Sequence, residues 1–509
     1  MKKRIVSIVS LPAPVGGWNA KDPIAQMGPK DAVILDNFFP LTTEVSLRPG
    51  SVDHATGIIG TVETLLGYNT PSGTGTMFAA AGANFYNVTI AGAVGAPVQT
   101  GLSNGQWRYV NFSTPGGVFL YAVNGVDSPR LWNGTAWTTI TGASTPAVTG
   151  VTTSTLTHIN VYAKRIWFTQ TATMKVWYLP VDSIGGAALS IDFASLFNRG
   201  GFLMAMGTWT IDSGSGMDDH AVFITSEGQV AVYRGIDPST AAGFVLVGIY
   251  DIGEPVTRNC FMKYGSDLLL ICRDGVQPLS AALQSSRVST KVSITDKIQQ
   301  AMSDATGLYA SSYGWQLQGF AEKNALILNV PVTGGQQQFV MNTLSGAWCR
   351  FLGWNASCFE YMQSALYYGT AGKVVRAWTG ASDSGVAITG KALPSFQYHG
   401  GMTQKRYTMA RPIITTDSPG VGVLLRLNVD FDIQEPVGSP TFNPVAVAVW
   451  GTAIWGASVW SGGLTLRKDW NTIGGIGYCA ALYLKVQTST AQLRWQSVDY
   501  VAEKGSGVL

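Results

Sequence analysis

Short apolar runs alternate with turns rich in glycine, asparagine and serine along most of this chain, and the pattern is densest between residues 313 and 380. Residues 315–320 (WQLQGF) and 325–330 (ALILNV) flank Glu322-Lys323-Asn324, which is turn chemistry, and together they predict a β-hairpin. A second turn at Thr333-Gly334-Gly335 leads to residues 338–342 (QFVMN), and Leu344-Ser345-Gly346 then turns the chain into 348–352 (WCRFL). The prediction is a run of antiparallel strands, each joined to the next by a tight turn. The pattern restarts at residues 357–362, passes through 365–369 (ALYYG) and a predicted turn at Thr370-Ala371-Gly372, and ends with 373–378 (KVVRAW). Four-stranded meanders joined by glycine turns are the one-dimensional signature of a β-propeller blade.

The same texture extends backwards. Residues 62–68 and 77–88 make one partial blade, and 107–112, 118–124, 130–132 and 136–140 make a second, in which Asn133-Gly134 predicts a type I′ hairpin. Residues 159–163, 165–170 and 175–180 begin a third, 221–225, 229–233 and 244–250 give a fourth, and 260–264, 267–273 and 276–279 a fifth. With the 313–380 stretch these units predict a propeller of about six blades. One helix interrupts them: Ser293 and Asp296 form a predicted capping pair ahead of Ile294, Ile298, Met302 and Ala305, which recur at helical spacing. Past Ala381 the texture changes. Residues 424–433 (LLRLNVDFDI) predict a strand on whose polar face Asp430 and Asp432 stand, and Trp450, Trp455 and Trp460 follow among small residues. The expected fold is mainly β: a loop-rich N-terminal arm and strap over residues 1–55, a β-propeller over 56–390 and a β-rich C-terminal domain over 391–509.

Composition sharpens this picture. At 509 residues the chain exceeds what one hydrophobic core holds, so a large repeat architecture is expected. Only 12% of its residues are charged, against roughly 25% in ordinary soluble domains, which points to a surface covered by other subunits. No apolar run approaches the roughly 20 residues of a membrane span. The net charge of +3 gives no basic footprint for tight nucleic-acid binding. Five cysteines, Cys260, Cys272, Cys349, Cys358 and Cys479, without C-x-x-C spacing argue against a disulfide framework or a structural zinc, and place synthesis in a reducing cytoplasm. The opening Lys2-Lys3-Arg4 and the apolar residues after it are too short, and too interrupted by Ser7, Ser10, Pro12 and Pro14, for a secretory leader.

Three elements near the start carry a family likeness: Gly16-Gly17-Trp18-Asn19 followed by Lys21-Asp22, the LDNFFP of residues 35–40, and the LRPG of residues 47–50. Together with the tryptophan run and the closing YVAEKGSGVL of residues 500–509, this resembles the podovirus tail proteins called tail nozzle, tail tubular protein B or packaged-DNA stabilisation protein. The resemblance touches both ends and the blade pattern. It implies a homohexameric ring in the virion tail, below a portal-side adaptor ring and in contact with tail fibres or a tail needle, through which double-stranded DNA passes without sequence recognition.

A search for chemistry finds little. Ser382-Asp383-Ser384-Gly385 is the nearest approach to a sialidase-type loop, but Ala381 and Ile388 stand where that loop needs serine and tryptophan. Asp218-Asp219-His220 sits on a glycine- and serine-rich segment and reads as a solvated tip. His54, His158, His220 and His399 have no ligand-like spacing, and no Walker loop or nucleophile elbow is present. No catalytic residue, cofactor or metal is therefore expected. Lys405, Arg406 and Arg411 form the one charge grouping that supports a DNA hypothesis, a candidate for DNA-channel contacts or for pairing at a subunit rim. The expected function is structural: a phage tail-nozzle subunit that retains packaged DNA and passes it during ejection. The alternative is a receptor-binding or polysaccharide-degrading propeller at the tail tip, with Trp107, Trp132, Trp137 and Trp167 as stacking platforms.

Overall fold

A computed structural model describes residues 5–71, 73–212, 217–284, 293–417, 421–440, 454 and 464–504. The protein is mainly β and its central body is a β-propeller. The strands Ser51–Asn69, Arg108–Thr114, Leu156–Tyr162, Leu203–Asp212, Phe261–Tyr264, Gln316–Phe320 and Cys358–Met362 follow one another around one axis, each against the next and the last against the first. Four of them open complete four-stranded meanders, over residues 108–139, 156–192, 203–251 and 316–351. The strand Phe261–Tyr264 opens a three-stranded sheet, backed by the helix Gln299–Tyr309. The ring closes where the second half of Ser51–Asn69, with Gly75–Ala81 and Asn84–Asn87, packs on the hairpin begun by Cys358–Met362.

The gaps between successive units are filled by apolar clusters, because the faces of a blade pack against its neighbours, and the gap between the 316–351 blade and the hairpin begun by Cys358–Met362 shares its cluster with the sheets outside the propeller. Trp107 packs edge-on to Phe85, with ring centroids 5.1 Å apart, in the gap before the 108–139 blade, while Trp132 and Trp137 meet Phe78 in that gap at 4.9 and 5.0 Å. Trp167 stacks on Phe244 at 5.6 Å in the gap between the 156–192 and 203–251 blades. The four tryptophans considered as sugar platforms are thus wedges between blades.

Four local expectations are corrected. The predicted turn at Thr370-Ala371-Gly372 lies inside a continuous strand, Ala365–Ala377. That strand pairs with Cys358–Met362 as far as Gly369 and with Ser51–Asn69 from Ala371 (opposite Thr61), the latter pairing shifting register between Ala371 and Lys373 before running from Lys373 opposite Thr56 to Ala377 opposite Ser51. Gly372, at φ 75°, takes up that register shift, so the chain continues as a strand where a turn would have reversed it. Asn133-Gly134 belongs to a longer loop closed by Trp132 opposite Trp137, in which the Asn133 carboxamide oxygen accepts the N–H groups of Thr135 and Ala136. Ser293 does not cap the helix: its hydroxyl donates to the Val276 carbonyl at 2.9 Å, and the helix is entered through a 3-10 turn, Asp296–Ile298. Asp430 and Asp432 fall beyond the strand Gly422–Val429, in a turn where Asp430 has φ 49° and its carboxylate accepts the N–H groups of Tyr478 and Cys479.

Beyond the propeller two further sheets pack face to face. One joins Ile5–Pro12, Leu493–Lys504, Lys405–Thr416 and Asn471–Gly477 in antiparallel order. The other joins Asp31–Asp36, Val386–Pro394, Ala480–Thr488 and Gly422–Val429. Tyr407, Ile414, Leu482, Leu484, Trp495 and Tyr500 fill the space between them. The N-terminal arm thus consists of short strands between turns, and Ile5–Pro12, Asp31–Asp36 and Val45–Leu47 each dock on a partner far away in sequence, so its placement depends on the rest of the chain being folded.

Candidate functional site

The alternation of a strand separates the basic grouping. Lys405 is fully buried, and its ammonium donates to the carbonyl oxygens of Gly401, Thr403 and Tyr478 at 2.6, 2.7 and 3.2 Å. Arg411 donates through Nε and Nη2 to one oxygen of Asp499, at 2.9 and 2.6 Å, with its guanidinium over the Trp470 ring. Arg406 points to the opposite face from Lys405 and is exposed. Of the three, only Arg406 presents a cation to an outside partner without first leaving an internal one.

The residues that carry the family likeness form a buried polar joint. Asn19 accepts the N–H groups of Lys21 and Asp22 and donates to the Asp31 carboxylate at 3.0 Å, which also takes the Lys297 ammonium at 2.6 Å. Asp36 pairs with Arg350 of the 316–351 blade at 2.8 and 2.9 Å. Asn37, held at φ 58°, accepts from Arg48 Nε and from the Leu352 N–H, and donates to the Thr389 carbonyl at 2.9 Å. Arg48, buried under the Trp354 ring, makes a two-pronged pair with Asp383 and donates to the Leu352 carbonyl. The guanidinium donates to Asn37 in the arm, to the Leu352 carbonyl beside the blade and to Asp383, so the motif clamps these segments together. Asp383, the acidic residue of the serine-rich loop compared with sialidases, is the counter-ion of Arg48.

Among the described residues two chambers open along the propeller axis, and sequence spacing gave no sign of them because their walls are assembled from short stretches of several blades. The larger, about 230 Å³, is lined by Glu63, Tyr109, Tyr313, Glu360 and their neighbours. Glu63 accepts from the Gly105 N–H at 2.9 Å and from the Gln106 carboxamide at 3.0 Å. Burial pushes the Glu360 carboxyl up to about 8, against a hydrogen bond to Tyr109 that works the other way, so it carries its proton at neutral pH. Burial likewise raises Tyr313 to about 12. The smaller chamber, about 190 Å³, is lined by Arg108, Arg258, Lys263 and His158 among others. The His158 Nδ1 accepts the Met206 N–H at 3.4 Å, and burial, with Arg108 and Arg258 nearby, lowers the imidazole to about 3, so it is neutral.

The other candidates lie apart. The Asp219 carboxylate accepts from Thr210 at 2.6 Å, and His220 is buried 6.1 Å from the Trp209 ring. The Asp218 side chain, and Trp450, Trp455 and Trp460, lie outside the described residues. Among the described residues no group of three His, Cys, Asp or Glu side chains is placed to hold a metal ion.

No family model matches the chain, and no curated protein matches it. Similar solved structures are propellers. The β-propeller domain of Swd1 from Myceliophteria thermophila is 10% identical, covering 64% of this chain and 98% of its own, with a TM-score of 0.40. The BBS1 N-terminal domain, in its complex with ARL6, is 10% identical over 65% of this chain and 96% of its own, with a TM-score of 0.37. YCF48 bound to a D1 peptide is 11% identical over 66% of this chain and 95% of its own, with a TM-score of 0.33. These likenesses concern architecture and leave function to the residues themselves.

Proposed function

We propose that this chain is a structural subunit of a short phage tail, a nozzle-type protein whose copies form a closed ring that continues the DNA channel, retains packaged DNA and passes it during ejection. The observation that carries the proposal is the outer face of the sheet built from both chain ends. Val6, Glu503, Arg406 and Ile476 stand opposite one another across its successive strands, and directly opposed residues share a face. Val6, Ile8 and Ile476 are 57%, 65% and 52% exposed there, and Leu466 on a neighbouring strand is 53% exposed. A sheet face that exposes several aliphatic side chains around Arg406 and Glu503, on a chain with only 12% charged residues, fits burial against a second copy, and a head-to-tail contact that closes leaves no such face in water. In that ring Arg406 supplies an exposed cation, suited to weak contacts with a sliding phosphate backbone rather than to capture.

The proposal is tested by the native mass of the purified protein. A discrete ring is expected, six copies by the family likeness, seen by electron microscopy as a particle with an axial hole. A monomer stable at micromolar concentration, or a protein that releases reducing ends from host polysaccharide, would replace this proposal with the tail-tip alternative.

A further inference from the structure

We propose that the smaller axial chamber is a binding site for a compact oxyanion of the phosphate class, gripped by Arg108, Arg258 and Lys263. Among the described residues the chamber wall contains no aspartate or glutamate. Neither guanidinium makes a hydrogen bond or ion pair with a described residue, although Arg48, Arg350 and Arg411 in the same molecule all do. Arg108 and Arg258 are close enough for their charges to oppose each other, and that repulsion adds to the burial that lowers Arg258. The groups whose charged forms would favour the Arg108 cation are Tyr313, Cys260 and Cys358, which burial keeps protonated, so they supply no counter-charge. Glu360, in the adjoining chamber, is likewise protonated at neutral pH.

Like charges converging on an enclosed space, without internal neutralisation, are costly to hold unless an anion joins them. Two planar forks and an ammonium supply three positive charges, and a phosphate monoester brings about −1.5 to −2, whereas a lone carboxylate brings half that. His158 accepts the Met206 N–H through Nδ1, which leaves Nε2 as a neutral N–H donor on the same wall. At about 190 Å³ the space admits phosphate or a small phosphate ester and is too small for duplex DNA, so this site is separate from any genome channel of the assembled ring.

The test is thermal unfolding of the full chain in inorganic phosphate, in pyrophosphate, in acetate and in chloride, all at matched ionic strength. Phosphate or pyrophosphate is expected to raise Tm by about 2–4 °C over chloride at saturation. In Arg258→Met that rise is expected to vanish while Tm in chloride stays level or increases, because an opposed charge has gone. Lys263→Met, at an exposed position, serves as a second variant and is expected to weaken phosphate affinity about tenfold in calorimetric titration. An equal rise in acetate would overturn the phosphate assignment. No rise over chloride in the parent protein, or a rise that survives in both variants, would overturn the site.

Discussion

Arg48 and Asp383, 335 residues apart, meet as a two-pronged ion pair, Nη1 to Oδ1 at 2.9 Å and Nη2 to Oδ2 at 2.5 Å. The arginine side chain is 1% exposed, so its charge is balanced inside the protein or not at all. Removing one partner of such a pair leaves the other desolvated and alone, which costs about 3–5 kcal/mol. Arg48→Met is therefore expected to lower unfolding stability by that amount in denaturant titration. A loss below about 1 kcal/mol would show that the joint between arm, blade and outer sheet is held by other contacts.

Gly50, next to that pair, tests the same joint through sterics. A Cβ on Gly50 would lie 2.0 Å from the Ser382 carbonyl oxygen, and the obstacle is backbone rather than a side chain that swings away. Gly50→Ala is expected to cost at least about 2 kcal/mol and to raise protease sensitivity near residue 50. Gly60→Ala is the control. It meets nothing within 4 Å but has φ 94°, so its penalty is conformational strain alone and should be the smaller.

Glu360 predicts a pH dependence of stability. The folded protein holds this proton up to about pH 8, while the unfolded chain releases it in the ordinary carboxylate range near 4.5. The folded state binds more protons between those values, so the stability gained from the buried neutral acid is full below the unfolded value and is lost as pH rises toward the folded one. The decline is expected to be on the order of 3 kcal/mol between about pH 5 and pH 9. Glu360→Gln keeps a neutral hydrogen-bonding group for Tyr109 and should flatten this profile. An identical slope in the variant would place the titration elsewhere.

Assembly makes a fourth prediction. Ile8→Glu and Ile476→Glu put charge on the exposed sheet face without touching the core beneath. Native mass measurements are expected to show these variants as monomers or small species, with Tm of the isolated subunit within about 2 °C of the parent. Retention of a full-sized ring would move the subunit interface to another surface.

Lys405 supplies a fifth. Its ammonium satisfies the carbonyls of Gly401, Thr403 and Tyr478, so Lys405→Met removes three hydrogen bonds made by a fully buried side chain. A loss of about 2–3 kcal/mol is expected, whereas Arg406→Gln next to it should change stability by less than about 0.5 kcal/mol.

The sequence by itself determined the blades. Alternating apolar runs and glycine turns are local signals, and hairpins such as Gln316–Phe320 with Ala325–Val332 pair residues near each other in the chain. Local signals also failed locally. Thr370-Ala371-Gly372 has turn composition, yet it marks the point where one strand exchanges partners, because a second partner, Ser51–Asn69, waits some three hundred residues upstream. The tertiary structure alone decided the rest. Lys405, Arg406 and Arg411 are neighbours in sequence, but strand alternation buries one, exposes another and gives the third an internal counter-ion. Arg108 lies some 150 residues before Arg258 and Lys263, but the strand Arg108–Thr114 and the entry into Phe261–Tyr264 bring the three to one chamber. Periodicity is a property of a chain with its own neighbours, whereas charge balance in a buried space depends on which distant walls enclose it.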